Sequence, residues 1–187
     1  MFGCILVPLD GSAAAAEAVP VAADVARRFS GRIVLLEVIG QLMDWHRSLP
    51  TPTDCAGTAD IEERAAHAAR TQLGRVAATV HGVSVDVDVR FGRAAETILE
   101  AAADTRCDLI CMAAHGHGRA SRPSSDRPHP IHPLHGVHSM LGGISDRIVH
   151  TSPIPVLVVR PGTRCPLPAT EGLTGPAVTP PVVSSRT

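Results

Sequence analysis

The sequence predicts an α/β protein built on a doubly wound, five-stranded parallel sheet, and three observations lead to this class. Apolar strand-like segments alternate along the chain with helical segments, which is the order that βαβ units produce. Most of the strands are near-continuous runs of Val, Ile and Leu, as expected for strands buried on both faces. Right-handed crossovers with one reversal of winding complete the fold, and its ligands bind at the carboxyl ends of the strands beside that reversal.

The bulk composition bounds the architecture and removes several classes of function. The 187 residues suit one domain over residues 1–161 and a tail over 162–187, whose Pro, Thr, Ser and Gly content predicts disorder. A net charge of −1 gives no electrostatic reason to expect nucleic-acid binding. No apolar run approaches the roughly 20 residues of a membrane span, and no basic leader precedes the first strand, so a cytoplasmic protein is expected. The absence of Lys excludes a P-loop lysine.

The first half of the chain predicts three strands and two helices. Ser12 is a candidate N-cap for an Ala-rich first helix, in which Pro20 predicts a kink. Asp60 and Glu63 form a capping-box pattern at the start of the second helix. The strand before Phe91 alternates Val with polar residues, which indicates a half-exposed position at or near a sheet edge. The assignments are strand 1–9, helix 13–29, strand 32–39, loop 40–58, a helix from 60 to about 80, and strand 83–91.

The second half predicts two more helices and two more strands: helix 93–104, strand 109–113, helix 139–150 and strand 156–160. Leu141, Ile144 and Ile148 recur at helical spacing, so the spacing places them on one apolar face of the third of these elements. Cys107 and Cys111 straddle the start of the 109–113 strand and are expected to be buried, reduced thiols.

A carboxylate follows the first predicted strand. Asp10 precedes Gly11-Ser12, and the carboxyl end of a strand in this fold faces the ligand crevice. A carboxylate there can bind a ribose hydroxyl or a base, or help to hold Mg²⁺. The alternative is that Asp10 only forms a turn or caps the first helix.

A small-residue turn follows the fourth predicted strand, and a glycine pair opens the helix after it. Gly116 and Gly118 permit a positive φ and close approach of a ligand, or else form an ordinary loop. His115 beside them is either a phosphate ligand or a structural histidine. Gly142 and Gly143 begin a helix whose free N–H groups attract anions, and tight helix packing is the other reason to place glycine there.

A Pro/His-rich insertion over residues 120–138 separates the turn from the glycine pair. Its histidines fall at every third position, as His129, His132, His135 and His138. In a polyproline II helix of three residues per turn this spacing aligns the imidazoles on one edge, where they could ligate zinc, nickel or copper. The alternative is a disordered His/Pro loop with no metal, because the paired spacing of a structural zinc site is absent.

With these segments in order, the chain resembles the universal stress protein family. The resemblance is carried by the runs 5–12, 34–38, 108–116 and 142–160, and it covers residues 1 to about 161 apart from the insertion. It implies a five-stranded parallel α/β sheet and dimerisation through the last strand. In one branch of the family it also implies ATP binding through a G-x2-G-x9-G-(S/T) motif, whereas another branch lacks the motif and does not bind ATP.

The resemblance also implies which residues surround a nucleotide. It implies that Pro8, Asp10 and Val38 flank adenine and ribose. It likewise implies that the residues at the phosphates are Gly116, Gly142, Gly143 and Ile144. The whole expected cofactor-binding set is Pro8, Leu9, Asp10, Val38, Met112, Ala113, His115, Gly116, Gly118, Gly142, Gly143 and Ile144.

Three departures from the family motif leave two functions open. Ala113 stands for the first motif glycine, Gly143 stands for the final Ser/Thr, and residues 117–141 separate Gly116 from Gly142 where the family has nine residues. The first function is a dimeric stress-response regulator that binds ATP, with or without Mg²⁺. The second is a nucleotide-independent dimeric stress protein that acts through protein contacts, with a metal-binding His-rich loop as a variant.

Two further expectations concern chemistry and assembly. Only His115 and His117 are candidates for a general base beside the phosphates, so any ATP hydrolysis should be slow and the protein is not classed as an enzyme. The apolar segment Val156–Arg160 is expected to form an edge strand that pairs two copies in a homodimer.

Overall fold

The protein folds as a five-stranded parallel sheet with helices on both faces, in a computed structural model that describes residues 2–40, 56–114, 141–160 and 162. The predicted fold class is therefore confirmed. The strands are β1 (Cys4–Leu9), β2 (Arg32–Ile39), β3 (Ser84–Phe91), β4 (Leu109–Ala113) and β5 (Val156–Val159). The helices are α1 (Ala13–Ala16), α2 (Ala18–Phe29), α3 (Ala56–Ala77), α4 (Ala94–Asp104) and α5 (Gly143–Thr151).

The winding of the sheet reverses beside β1. The strand order is β3-β2-β1-β4-β5, so the chain adds β2 and β3 on one side of β1 and then crosses to add β4 and β5 on the other. The β1–β4 pairing is short, with Ile5 opposite Leu109 and Leu6 opposite Ile110. Strands β1 and β4 therefore diverge after these pairs, and the switch point opens at their carboxyl ends.

The core has two layers because alternate side chains of each buried strand point to opposite faces. Ile5 and Val7 of β1 pack with residues of α2 and α3 such as Leu73. Leu6 lies on the other face, where Ile148 of α5 and residues of α4 cover it. Ile5, Leu6, Val7 and Ile148 have no exposed surface, and the fully buried side chains of the described core are mainly aliphatic.

The first predicted helix is divided in two, and Pro20 explains the division. Helix α1 ends at Ala16, and Glu17 separates it from α2. Proline lacks a backbone N–H, and its ring clashes with the carbonyl four residues earlier, which here belongs to Ala16. Pro20 is nonetheless acceptable in the first turn of α2, where backbone N–H groups have no intrahelical partner. The kink that Pro20 predicted is thus a break three residues before it.

The capping-box prediction for the second helix is wrong. Helix α3 begins at Ala56, so Asp60 and Glu63 lie inside it and the predicted loop over residues 40–58 is too long at its end. Asp60 instead forms an ion pair with Arg64 one turn later, with 2.8 Å between the Asp60 carboxylate and the Arg64 guanidinium. A D-x-x-E pattern is equally compatible with an exposed helix face, where pairs four residues apart stabilise the helix weakly.

The last predicted helix is shorter than expected, and its apolar face is wrong at two of three positions. Helix α5 begins at Gly143, so Leu141 precedes the helix rather than lying on its face. Ile148 is fully buried as expected, but Ile144 is 48% exposed. Helical spacing alone could not show this, because Ile144 borders the cavity at the carboxyl ends of the strands, whereas Ile148 packs into the core.

The two strands that were predicted to lie at or near sheet edges are the end strands of the sheet. β3 is an end strand, and it pairs only with β2 in the described part of the chain. Its alternating pattern of valines and polar residues is therefore typical of an edge, as predicted. β5 is the other end strand. The cysteines predicted to be buried, Cys107 and Cys111, are buried, and neither forms a disulfide bond with another described cysteine.

Two predicted regions lie outside the described residues: the insertion at 120–138 and the tail except for Gly162. Gly162 donates its backbone N–H to a carboxylate oxygen of Glu17, at 2.6 Å. Among the helices described above, none is long and apolar enough to cross a membrane.

Candidate functional site

A cavity of about 160 Å³ lies where the winding of the sheet reverses. Its walls come from the carboxyl ends of β1, β2 and β4 and from the first turns of α1, α4 and α5. The lining residues are Pro8, Leu9, Asp10, Ala15, Leu36, Val38, Ala94, Ile98, Met112, Ala113, Ile144 and Ser145. This is the position at which open α/β sheets bind ligands.

The strands supply an apolar floor. Pro8 of β1 lies opposite Leu36 of β2 in the sheet register. Val38 and Met112 belong, with Leu36, to the hydrophobic cluster on the α4–α5 face. Small residues complete the wall, because Ala94 begins α4 and Ala113 ends β4. The result is a slot lined by aliphatic groups with few polar atoms, which suits a flat apolar ring.

Asp10 carries the carboxylate of this cavity. Its Oδ1 accepts the backbone N–H of Ser12 at 3.0 Å and the Ser12 hydroxyl at 2.6 Å. Ser12 in turn caps α1, because its Oγ accepts the N–H of Ala15 at 3.0 Å. The turn-forming alternative for Asp10 is therefore realised, and it coexists with the cavity position. These contacts fix the carboxylate at the cavity wall.

The N-terminus of α5 faces the same cavity. Gly142 is its N-cap and contributes no side-chain hydrogen bond to the cap. A Cβ added to Gly143 would meet no atom within 4 Å among the residues that the structure describes. Tight packing against these residues is thus not the reason for glycine at 143. Ser145 is buried, and its hydroxyl donates to the carbonyl of Ala113 at 3.0 Å, which ties the first turn of α5 to the end of β4.

A second carboxyl group lies on the opposite face of the sheet. Glu37 lines a separate cavity of about 290 Å³ together with Gly11, Ser12 and Gln72. Its Oε2 is buried and has no hydrogen-bond partner in the described part of the chain. Burial raises the pKa of the Glu37 carboxyl, and the nearby charge of Asp10 raises it further. The charge of Asp10 therefore opposes the ionisation of Glu37 across the end of β1.

The structure brings together seven of the twelve expected cofactor-binding residues: Pro8, Leu9, Asp10, Val38, Met112, Ala113 and Ile144. Gly142 and Gly143 are not in the lining but directly precede Ile144 at the start of α5. His115, Gly116 and Gly118 lie outside the described residues.

Sequence reasoning missed five lining residues: Ala15, Leu36, Ala94, Ile98 and Ser145. Leu36 could have been found, because side chains of a strand alternate and Leu36 shares a face with Val38. The other four depend on how α1, α4 and α5 pack on the sheet, which no local pattern encodes.

The expected metal ligands His129, His132, His135 and His138 also lie outside the described residues. Within the portion of the chain that is described, no group of three or more His, Cys, Asp or Glu side chains is placed to hold a metal ion.

The fold and the cavity define a class: a Rossmann-like α/β protein with a ligand crevice at its switch point. The chain belongs to the universal stress protein family, whose model matches residues 1–160. A universal stress protein from Synechocystis sp. is 28% identical over 159 residues, which are 85% of this chain and 86% of that protein.

Solved structures share the fold. Universal stress protein UspA from Lactobacillus plantarum is 24% identical, with a TM-score of 0.58 over 85% of this chain and 98% of that one. A universal stress protein crystallised in complex with cAMP is 15% identical, with a TM-score of 0.52 over 85% of this chain and 97% of that one.

Proposed function

We propose that this universal stress protein is a stress-response regulator that binds an adenine nucleotide, ATP in particular, in the cavity at the carboxyl ends of β1 and β4. The observation that carries the proposal is the lining of that cavity: an apolar slot, one fixed carboxylate and a helix N-terminus within one switch point. The cAMP complex of a protein with the same fold supports an adenine nucleotide as the ligand class.

Each part of the ligand has a counterpart in the cavity. The apolar side chains of Pro8, Val38 and Met112 accept the faces of the adenine ring. The backbone adds a hydrogen-bond acceptor. Arg32 donates its N–H to the carbonyl of Gly3, so the even-numbered residues of β2 direct their peptide groups towards β1. Because β1 ends at Leu9, opposite Glu37, the carbonyl of Val38 lies past the end of β1, where it can accept a hydrogen bond from the exocyclic amine of adenine.

The polar end of the nucleotide meets Asp10 and α5. The Asp10 carboxylate accepts hydrogen bonds from ribose hydroxyls, or helps to hold Mg²⁺ when ATP brings it. The first N–H groups of α5 have no intrahelical partner and carry the positive end of the helix dipole, so they bind phosphate oxygens. Gly143 leaves open space beside those amides.

The binding experiment measures the affinity of the purified full chain for Mg-ATP, AMP and cAMP by isothermal titration calorimetry. Asp10→Ala should weaken binding about tenfold or more, since a charge-assisted hydrogen bond contributes about 1.5–3 kcal/mol. Ala113→Leu should abolish binding by filling the cavity. Asp60→Ala, which removes an exposed ion pair on α3, is the matched control and should bind as the unmodified protein does.

Two results would overturn the proposal. One is no heat of binding at millimolar nucleotide together with no adenine nucleotide released on denaturing the purified protein. The other is binding that neither Asp10→Ala nor Ala113→Leu changes. The first result would favour the nucleotide-independent alternative that acts through protein contacts, and the second would place the nucleotide elsewhere.

We also propose that the protein acts as a homodimer through Val156–Arg160. Among the described strands, β5 is an end strand with β4 on one side only. Its four residues are all apolar, and three of them are partly exposed. An apolar edge strand with unpaired backbone groups favours pairing with a second copy.

A further inference from the structure

Two cysteines meet at the end of the sheet opposite the nucleotide cavity. The Sγ atoms of Cys4 and Cys107 are 2.6 Å apart, although the residues are 103 positions apart in the sequence. Cys4 begins β1, and Cys107 lies in the turn between α4 and β4. Both are more than nine-tenths buried, at 5% and 6% exposure. The thiols approach to within about 0.6 Å of the roughly 2.05 Å length of a disulfide bond.

The backbone around the two thiols holds them in place. Asp108 donates its N–H to the carbonyl of Cys4 at 2.9 Å, and its carboxylate accepts the N–H groups of Gly3 and Cys4. On the other side, Arg32 donates to the carbonyl of Thr105 at 2.9 Å. The start of β1 and the turn before β4 are therefore tied together before any covalent bond forms.

A shared metal ion does not fit this distance. Two thiolates on one tetrahedral zinc lie about 3.8 Å apart, because each Zn–S bond is about 2.3 Å long. The separation in this protein is more than 1 Å shorter. No third ligand joins the two sulfurs in the described part of the chain. The geometry is that of a dithiol and not of a metal site.

We propose that Cys4 and Cys107 are a modification site at which a hydroperoxide forms a reversible disulfide bond. The Cys107 thiolate attacks one oxygen of the peroxide and the O–O bond breaks, so Cys107 becomes a sulfenic acid and the other oxygen leaves as hydroxide. The hydroxide takes up the proton that Cys107 released and becomes water. Cys4 then attacks the Cys107 sulfur, and the S–O bond breaks. Water leaves with the Cys4 proton. Overall, two thiols are oxidised and one hydrogen peroxide is reduced to two water molecules.

The order of these steps follows from the environment of Cys4. Burial first, and then the neighbouring Cys107, raise the pKa of Cys4 to about 12, while Arg32 opposes the rise. Cys4 is therefore a protonated thiol at neutral pH, and it is disfavoured for the first step because a thiol is a poorer nucleophile than a thiolate. In the second step its proton passes to the departing oxygen as its sulfur attacks Cys107. External thiols such as dithiothreitol reverse the reaction.

The bond would lock together the two strands that hold the nucleotide cavity. β1 and β4 carry Pro8, Asp10 and Met112 at their carboxyl ends, whereas the disulfide joins their opposite ends. It closes a loop of about a hundred residues, so it should raise the melting temperature by about 5–15 °C. Nucleotide affinity should change less than threefold.

The test treats the full chain with hydrogen peroxide at neutral pH, blocks free thiols with iodoacetamide, and maps disulfides by mass spectrometry of non-reduced peptides. We expect a peptide joining Cys4 to Cys107 and an intact mass lower by about 2 Da, both reversed by dithiothreitol. Cys55→Ser/Cys165→Ser removes the two cysteines outside the described residues and should form the same link. Cys111→Ala is the matched control, because Cys111 is buried in the core cluster on the other face of the sheet from Cys4 and Cys107.

The proposal fails if Cys4 and Cys107 both remain alkylatable after oxidation, or if either forms its bond with another cysteine in the unmodified chain. Cys107→Ser should lose both the link and the rise in melting temperature. If Cys107→Ser does not fold, peptide mapping of the unmodified chain still decides the matter, because it needs no variant.

Discussion

Glu37 shows how one side chain can set the pH dependence of the whole fold. Its Oε2 is buried without a partner among the described residues, and the pKa of the carboxyl is raised first by burial and then by Asp10. A carboxyl whose pKa is higher in the folded than in the unfolded state stabilises the fold at low pH. That stability is fully present below the ordinary value of 4.5 and is lost as pH rises through the raised pKa.

Glu37→Gln removes this ionisation, so the variant should be more stable than the unmodified protein at pH 7. The gain should shrink as pH falls towards 4, because Glu37 then becomes neutral as well. Urea unfolding of both proteins at several pH values between 4 and 8 measures the difference. Glu63→Gln on the exposed face of α3 is the control and should leave the profile unchanged. Parallel pH profiles for Glu37→Gln and the unmodified protein would contradict the prediction.

At the scale of elements, α5 has two tasks that fall on different turns. Its first turn, with Ile144, borders the cavity and is half-exposed. Its second turn, with Ile148, packs into the core beside α4. The same helix thereby anchors itself at one end and presents backbone N–H groups at the other.

The two isoleucines of α5 should therefore differ sharply in their contribution to stability. Ile148→Ala creates a cavity in the core and should lower the free energy of unfolding by about 2–5 kcal/mol. Ile144→Ala is the matched substitution on the same helix and should cost less than about 1 kcal/mol, because nearly half of its surface is already exposed. Denaturant unfolding at pH 7 compares them. Equal losses would show that Ile144 is buried in solution.

At the scale of the whole molecule, the proposed dimer depends on the free edge of β5. The carbonyl of Pro155 accepts the N–H of Ile110 in β4, and the carbonyl of Val159 accepts the N–H of Ala114 directly after β4. By alternation, Leu157 also directs its peptide groups to β4, and Val158 directs its own away from the sheet. Only residues such as Val158, whose peptide groups face away from β4, are available to pair with another copy.

This alternation gives a sharp test of the dimer. Val158→Pro removes an outward N–H without touching the β4–β5 ladder, and edge strands accept proline at such positions. We expect the variant to keep its circular dichroism spectrum and to become a monomer by light scattering at micromolar concentration. Leu157→Pro, one residue earlier, breaks the ladder to β4 and should instead destabilise the fold. An unmodified protein that is already a monomer would contradict the dimer.

Local patterns were most informative where the chain is buried. β2 and β4 were predicted to the residue, because an apolar run ended by turn residues has only one reading inside a parallel sheet. The helix start at Ala56 was missed, because a capping pattern also occurs inside exposed helices. The bounds 139–150 began the last helix too early, because helical spacing also occurs outside helices, although the glycine pair did mark its true start. Asp10 was predicted to face the ligand crevice because it follows the first strand, and in the structure it follows β1 and lines the cavity.

Short-range periodicity and turn chemistry were enough to predict the order of strands and helices, the aliphatic core and the carboxylate at the end of β1. The folded chain was needed to show which helices close the cavity, that Ser145 joins α5 to β4, and that Asp10 adds to the effect of burial in raising the pKa of the Glu37 carboxyl. It alone brought Cys4 within 2.6 Å of Cys107. The physical reason is that these contacts join residues far apart in the chain, and strand pairing across the switch point brings them together.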